Sequence, residues 1–200
     1  TALLTLSVFF SALIALVMAP IVSKTVGKKR GAVAIGILAF SIAPMPVILR
    51  LFGVMPANGT EVLFNLILGV TVIDVALIIT FQILSSSMIA DIVEDSELKT
   101  GRRSEGIFFA GITFMRKLAR GSGLFLASII LAVANLSRDM QPGEVDAETL
   151  TLLGAGYAFG LLALWTTMII VLSRYKISRE DHEANLAALD RSRDSARVAE

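Results

Sequence analysis

The 200-residue chain is 55% hydrophobic and only 18% charged, with a mean hydropathy of +0.76, so it is far more apolar than a soluble domain of this size needs to be. This composition predicts an all-α integral membrane protein. It contains no cysteine, which excludes disulfides, thiolate metal sites and thiol nucleophiles. The net charge of +1 indicates little about the arrangement of the chain in a membrane, because the side of the bilayer on which Lys and Arg lie matters more than the total charge.

Five apolar segments predict transmembrane helices, because about 20 apolar residues cross the hydrocarbon core of a bilayer. The segments are 1–22, 31–54, 62–89, 106–134 and 149–173. Pro20 in the first segment, and Pro44 and Pro46 in the second, predict kinks. Residues 174–200 form a polar tail, for which we expect a solvated or interfacial helix.

The basic residues of the connecting segments predict the orientation of these helices. They are concentrated in the first connection, in the third connection and at the start of the tail: Lys24, Lys28, Lys29 and Arg30; Lys99, Arg102 and Arg103; Arg174, Lys176 and Arg179. By the positive-inside rule, these segments and the C-terminus are cytoplasmic. Five helices then place Thr1 outside, and we expect at least one further helix before it.

The third connection, Asp91 to Gly106, is densely charged. Its acidic residues are Asp91, Glu94, Asp95, Glu97 and Glu105, and its basic residues are Lys99, Arg102 and Arg103. One interpretation is a solvated linker, since surface ion pairs contribute little. The other is a cytoplasmic gate, in which carboxylates at the inner end of one helix pair with guanidinium groups of neighbouring helices or of the other half of the protein. In this interpretation Asp91 and Arg103 stabilise the closed cytoplasmic face. Thr100-Gly101 predicts the turn of this connection.

The fourth apolar segment carries three cations near its middle: Arg116, Lys117 and Arg120. Lys117 lies roughly 16 Å along the helix from Gly106, close to the centre of a bilayer about 30 Å thick. Charges at this depth are costly in lipid and are usually functional. Thr113 shares the polar face of Lys117, so we expect this face to line a transport cavity.

Alternatives remain open for these cations. Lys117 is either a cavity residue or one member of a structural ion pair. Arg116 and Arg120 either contact neighbouring helices or bind an anionic solute, which guanidinium groups hold well.

Asp74 is a second mid-membrane charge, in the third apolar segment. Its neighbours are apolar, so its carboxylate needs a partner, for which Arg50, Arg116 and Lys117 are candidates. Asp74 is therefore interpreted either as a structural ion-pair residue or as a ligand of a proton or cation.

One segment carries a resemblance to a known family. The run from Ala90 to Ile107, ADIVEDSELKTGRRSEGI, resembles the signature A-D-x-x-D-Y-x-E-x-K-T-G-x-R-x-E-G that follows the tenth helix of the glycoside–pentoside–hexuronide:cation symporters, the melibiose-permease-like branch of the major facilitator superfamily. The matching residues are Asp91, Glu97, Lys99, Thr100, Gly101, Arg103, Glu105 and Gly106. Glu94 keeps the charge of a family Asp, whereas Asp95 replaces an aromatic residue. PIVSKTVGKKR and YKISREDHEANLAAL resemble the loop after the eighth helix and the C-terminal tail.

The resemblance implies a twelve-helix transporter, of which this chain supplies helices eight to twelve. It implies symport of a sugar or sugar-like solute, neutral or anionic, by alternating access, with Na⁺ or H⁺ as coupling cation and no other cofactor. Lys117 falls where the family carries an intramembrane lysine. The expected partners are membrane lipid, the solute and the preceding half of the same transporter, in a bacterial inner membrane.

Other functions are weighed against this one. A sodium-coupled lysolipid transporter of the same family is one alternative, and a structural or sensory membrane subunit without transport is another. The sequence offers no nucleophile–base pair, metal cluster or phosphate loop, so we do not expect an enzyme, nor a nucleic-acid partner.

Overall fold

The computed structural model describes residues 2–102, 104–134, 145–175 and 179–198. Every regular element in these ranges is a helix, which confirms the all-α prediction. The helices are α1 (Ala2–Thr25), α2 (Lys28–Ile42), α3 (Met45–Leu51), α4 (Glu61–Thr100), α5 (Glu105–Val133), α6 (Ala147–Ser173) and α7 (Arg179–Val198).

Four stretches of the described residues are long and apolar enough to cross a membrane: Thr5–Thr25, Lys28–Leu51, Glu61–Thr100 and Ala147–Ser173. The fifth predicted span corresponds to α5, which has 29 residues and is long enough. Its three cations lie near mid-helix and interrupt the apolar run, so its place in the bilayer stays a prediction. Many large apolar side chains of α1, α4 and α6 are exposed, as expected of surfaces that face lipid.

Proline separates α2 from α3 within the second apolar segment. Pro44 follows the end of α2, and Pro46 lies in the first turn of α3. The N–H groups of a first turn have no intrahelical acceptor, so the missing N–H of Pro46 costs no hydrogen bond. The predicted bend in this segment is therefore a break between two helices. Pro20, in contrast, lies inside α1, which remains one continuous helix.

The core lies where α1 and α2 pack against α4. Small residues let the helices approach closely, and Ala32 and Ala39 of α2 are fully or almost fully buried against Leu77 and Leu84 of α4. The hydroxyl of Ser11 on α1 donates to the backbone carbonyl of Val72 on α4 at 2.9 Å, so a polar contact also joins these helices.

The third connection is shorter than the sequence indicates. α4 continues to Thr100, so Asp91 to Thr100 are three helical turns and not a loop. No proline or glycine occurs between Asp91 and Gly101, which adopts a left-handed conformation (φ 66°) and donates its N–H to the carbonyl of Glu97 at 2.9 Å. The predicted turn at Thr100-Gly101 is confirmed, and the prediction of a loop that begins at Asp91 is wrong.

α5 is peripheral in the described part of the chain. None of its residues is buried, and it makes few contacts with α4 and α6. Its apolar and cationic side chains alike are mostly exposed.

A close approach of α1 to α2 generates the first prediction. A Cβ atom on Gly31 would lie 2.5 Å from Cγ1 of Val22, a branched side chain with little room to move, whereas a Cβ on Gly69 of α4 meets nothing within 4 Å. We expect Gly31→Ala to destabilise the full-length protein by about 1–3 kcal/mol through overpacking. Gly69→Ala should be neutral or stabilising, because alanine favours helix. Reversible unfolding in mixed detergent micelles measures both, and equal stabilities would contradict the packing argument.

Candidate functional site

A buried carboxylate lies near the end of α4. The Asp91 residue is only 3% exposed, and both of its oxygens have partners from other parts of the chain. Lys28, the first residue of α2, places Nζ 2.6 Å from Oδ1, and the hydroxyl of Tyr175, just after α6, donates to Oδ2 at 3.1 Å. A buried charge is tolerated only when it is paired in this way. Asp91 therefore joins three elements at one end of the helices.

A histidine from α7 completes this cluster. The Nδ1 atom of His182 lies 3.0 Å from Oε2 of Glu94 and 3.3 Å from Oδ1 of Asp91. The ring nitrogen is not aligned for a hydrogen bond with either oxygen, so these contacts are electrostatic. We call Lys28, Asp91, Glu94, Tyr175 and His182 the Asp91 cluster.

The Tyr175 hydroxyl stays protonated in this cluster. Burial raises the pKa of Tyr175 well above its usual value, and the negative charge of Asp91 raises it further. Tyr175 is therefore a neutral hydrogen-bond donor to Asp91 throughout the physiological range of pH.

A second contact joins α7 to α4 about one turn further along. Lys99 pairs with Oδ2 of Asp95 at 2.6 Å within α4, and the side-chain amide of Asn185 lies 3.5 Å from Oδ1 of the same carboxylate. Leu189, another turn along α7, is buried. α7 is thus held on α4 by charge, a long polar contact and apolar burial.

A cavity of about 830 Å³ opens beside the Asp91 cluster, between the α1–α2 turn and α7. Its charged lining residues are Lys24, Lys28, Lys29, Arg30, Asp91, Glu180, His182 and Glu183. Lys29 also fixes the end of α6, because its ammonium group donates to the backbone carbonyls of Ser173, at 3.0 Å, and Tyr175. The cavity carries both signs of charge.

The cluster brings together part of the predicted gate. Asp91 and Glu94 contact His182, and Asp95 contacts α7 through Asn185. Lys28 lies in the basic first connection and His182 in the tail, which the positive-inside rule predicts on the same side of the membrane. That shared side is the signal in the sequence that these residues could meet.

The other predicted gate residues lie around the α4–α5 connection. Lys99 pairs with Asp95, Gly101 caps α4, and Arg102 is exposed next to it. Glu105 is exposed in the first turn of α5. Arg103, also a predicted gate residue, lies outside the described residues.

The predicted cavity residues are not brought together by the described helices. Thr113, Arg116, Lys117 and Arg120 are all exposed on α5, and the Thr113 hydroxyl donates to its own helix, to the carbonyl of Phe109 at 2.8 Å. Any cavity around them needs walls from outside the described ranges.

Asp74 has no hydrogen-bond partner for its buried Oδ1 atom among the residues that the structure describes. Arg50, one predicted partner, instead donates from Nη1 to the carbonyl of Pro56 at 2.9 Å. The pairing of Asp74 with Arg116 or Lys117 is likewise absent from the described ion pairs. A buried carboxylate oxygen without a donor carries a desolvation cost, which a cation, a proton or another chain segment would offset.

A metal ion is a further possible occupant of the Asp91 cluster. Donor atoms of Asp91, Glu94 and His182 lie within 4.8 Å of one another, a spacing that suits a divalent ion. However, the ammonium of Lys28 already neutralises Oδ1 of Asp91, and Tyr175 binds Oδ2. The cluster is therefore an ion-pair network.

Comparisons with known proteins identify relatives of this chain. The family model described as "MFS/sugar transport protein" matches residues 1–179. A protein named as an uncharacterized symporter, from Synechocystis sp. (strain ATCC 27184 / PCC 6803 / Kazusa), is 40% identical over 58 residues, which are 29% of this chain and 10% of that relative. The match thus spans about a tenth of the relative's length. No solved structure gives a significant match.

The buried pair generates the second prediction. Asp91→Asn leaves the ammonium of Lys28 without its counter-charge, and we expect a loss of about 3 kcal/mol of stability in the full-length protein. Asp95→Asn makes the same change in the pair of Asp95 with Lys99, whose side chain is 71% exposed. The loss of stability should therefore be about 0.5 kcal/mol or less.

Unfolding in mixed detergent micelles measures both variants, together with Lys28→Met and the double variant. The double variant should lose less stability than the sum of the two single changes, because removing both charges leaves neither unpaired. Strict additivity would show that Asp91 and Lys28 do not interact.

Proposed function

The chain belongs to the MFS/sugar transport protein family, and from this membership we propose that it is the C-terminal part of a cation-coupled symporter that moves a sugar or sugar-like solute by alternating access. Its long apolar helices make it an integral membrane protein. The Synechocystis relative is named as an uncharacterized symporter, which supports coupled transport.

The observation that carries the proposal is the Asp91 cluster at one end of the apolar helices. Alternating access needs contacts that close one end of the transporter and can break again. Ion pairs and hydrogen bonds between separate elements suit this role, and Asp91 makes such contacts with α2, with the end of α6 and with α7. We assign the gate to this cluster.

The side of the membrane follows from charge. Lys24, Lys28, Lys29 and Arg30 lie at the same end of the helices as the Asp91 cluster, because all four line the cavity beside it. This accumulation of basic residues favours the cytoplasm. The gate is therefore proposed to close the cytoplasmic end.

The coupling cation is proposed to act through Asp74. A carboxylate oxygen buried in an apolar helix without a donor is an acceptor for Na⁺ or H⁺. Binding of the cation would remove the cost of the buried charge, and this energy can favour one conformation over another.

The solute is proposed to bind against α5. An exposed helix with cations at mid-length is unfavourable in lipid, so we place the preceding half of the transporter against it, with Thr113 and Lys117 facing a cavity between the halves. Arg116 and Arg120 add positive charge beside this cavity.

One feature favours a second candidate. Three exposed cations within five positions of α5 exceed what a neutral sugar requires, and guanidinium groups bind carboxylates and phosphates well. An anionic solute, either a uronide or the headgroup of a lysolipid, is therefore the alternative substrate class.

The third prediction concerns coupling. Full-length protein in proteoliposomes should take up a glycoside only when a Na⁺ or H⁺ gradient is imposed, and Asp74→Asn should remove this dependence on the gradient. Glu61→Gln is the matched control, because it removes an exposed carboxylate from the first turn of the same helix and should leave gradient-driven uptake unchanged. Gradient-driven uptake that survives in Asp74→Asn would remove Asp74 from the coupling site.

The fourth prediction concerns the charge of the solute. If guanidinium groups hold an anion, Arg120→Gln should weaken inhibition of uptake by an anionic glycoside by about tenfold or more and leave inhibition by its neutral analogue unchanged. Arg174→Gln removes an exposed arginine at the end of α6 and serves as control. If Arg120→Gln weakened inhibition by the anionic and the neutral glycoside equally, Arg120 would support the helix and would not select the solute.

A further inference from the structure

The turn between α1 and α2 lies at a boundary between lipid and water. It connects two stretches that are each long and apolar enough to cross a membrane, Thr5–Thr25 and Lys28–Leu51. Near the end of α1, the side chains of Val17 and Ile21 are exposed, as expected of a surface that faces lipid. The cations of the turn therefore lie at the level of the lipid headgroups, where long basic side chains are favourable.

This part of the chain is basic and contains no acidic residue of its own. The first 60 residues include no Asp or Glu, and the first carboxylate along the chain is that of Glu61, at the start of α4. Four cations nevertheless fall within seven positions around the turn: Lys24, Lys28, Lys29 and Arg30. Negatively charged partners for them must therefore come from other elements or from outside the chain.

Two of the four cations have partners inside the protein. The ammonium of Lys28 pairs with the buried carboxylate of Asp91, and that of Lys29 donates to two backbone carbonyls at the end of α6. The other two, Lys24 and Arg30, are exposed, and their side chains make neither a hydrogen bond nor an ion pair with the residues that the structure describes. These two cations are free to bind an external group.

The two free cations share one opening. Both line the cavity of about 830 Å³ beside the turn, together with the exposed side chain of Val26, which lies between them in sequence. The next residue is Gly27, and a Cβ atom there would meet nothing within 4 Å, so the surface is open at this point. The opening thus offers two cations and an apolar side chain at the level of the headgroups, which is what basic lipid-binding pockets provide.

The opposite wall of the cavity carries negative charge. It belongs to α7 and includes Glu180 and Glu183. The wall of α1 and α2 holds three cations without a carboxylate partner, because Lys29 as well as Lys24 and Arg30 keeps its charge unbalanced. These cations outnumber the two carboxylates, so an anion is favoured in the cavity, and it is favoured on the side of α1 and α2.

We propose that the α1–α2 turn binds the headgroup of an anionic phospholipid, whose phosphate contacts Lys24 and Arg30 and whose acyl chains lie against the exposed apolar side chains of α1. The planar guanidinium of Arg30 suits two phosphate oxygens, and the ammonium of Lys24 adds a point charge. Each Lys or Arg close to a membrane surface favours anionic lipid, and two of them at one phosphate reinforce each other. The lipid thereby balances charges that α1, α2 and α3 leave without a counter-ion.

The test measures lipid binding at the turn itself. A fluorophore is attached to Val26→Cys in full-length protein otherwise free of cysteine, reconstituted in vesicles of phosphatidylcholine. Quenching is titrated with phosphatidylglycerol that carries a nitroxide near the glycerol end of an acyl chain, and with phosphatidylcholine that carries the same label. Half-maximal quenching should need about tenfold less labelled phosphatidylglycerol than labelled phosphatidylcholine. Equal titrations for the two lipids would overturn the proposal.

Substitutions of the two cations assign the preference to them. Lys24→Gln and Arg30→Gln should each weaken the preference for phosphatidylglycerol about threefold, and the double variant should abolish it. Lys24→Arg keeps the charge and should keep the preference. Arg102→Gln is the matched control, because it removes an exposed arginine beyond the end of α4 and changes the net charge equally. A preference that falls as much in Arg102→Gln as in Arg30→Gln would show a general surface charge and no site.

Two further measurements exclude other occupants. Glu180→Gln should strengthen quenching by labelled phosphatidylglycerol, because a repulsive charge is lost. Weaker quenching in this variant, or equal quenching of the parent by labelled phosphatidylethanolamine, would show that α7 holds the ammonium of a zwitterionic lipid, and would overturn the proposal. Inorganic phosphate at constant ionic strength should leave the preference unchanged. A preference that phosphate removes would assign the turn to a soluble anion instead.

Discussion

The burial of one carboxylate organises this end of the molecule. Asp91 is removed from water, and its charge is tolerated because Lys28 and Tyr175 supply a cation and a hydroxyl from two other elements. The start of α2, the end of α6 and the last turns of α4 must therefore lie at the same level. α7 then completes the arrangement through His182, so a single buried charge determines where four elements meet.

Much of the fold is predictable because lipid restricts what the sequence can be. The apolar segments predicted α1, α4 and α6, and one further segment that the structure divides into α2 and α3. Pro44 and Pro46 indicated the position of the break between α2 and α3. The end of α4 was not predictable from hydropathy, because charge indicates where the lipid ends and not where the helix ends. Gly101 indicates where the helix ends, because glycine adopts the left-handed conformation of this position without the steric cost of a Cβ.

The site was predictable only in part. Asp91 stood out through a family signature, but its partners lie 63 and 84 residues away in sequence at Lys28 and Tyr175, and no local pattern encodes such a pairing. The residues of α5 show the opposite case. The sequence predicts that Arg116, Lys117 and Arg120 are charged and lie deep in an apolar segment. It does not predict what surrounds them, because the described helices leave that surface of α5 uncovered.

The length of α4 has a mechanical consequence. Its 40 residues span about 60 Å, twice the hydrocarbon thickness of a bilayer, without a proline or glycine between Asp74 and Asp91. These two carboxylates are about 25 Å apart along one stiff rod. A tilt of about 10° that pivots at Asp74 would therefore carry Asp91 sideways by about 4 Å, more than the length of the contacts that hold it. The cation binding that is proposed at Asp74 and the breakage of the contacts of Asp91 would then be coupled through the movement of one rigid helix.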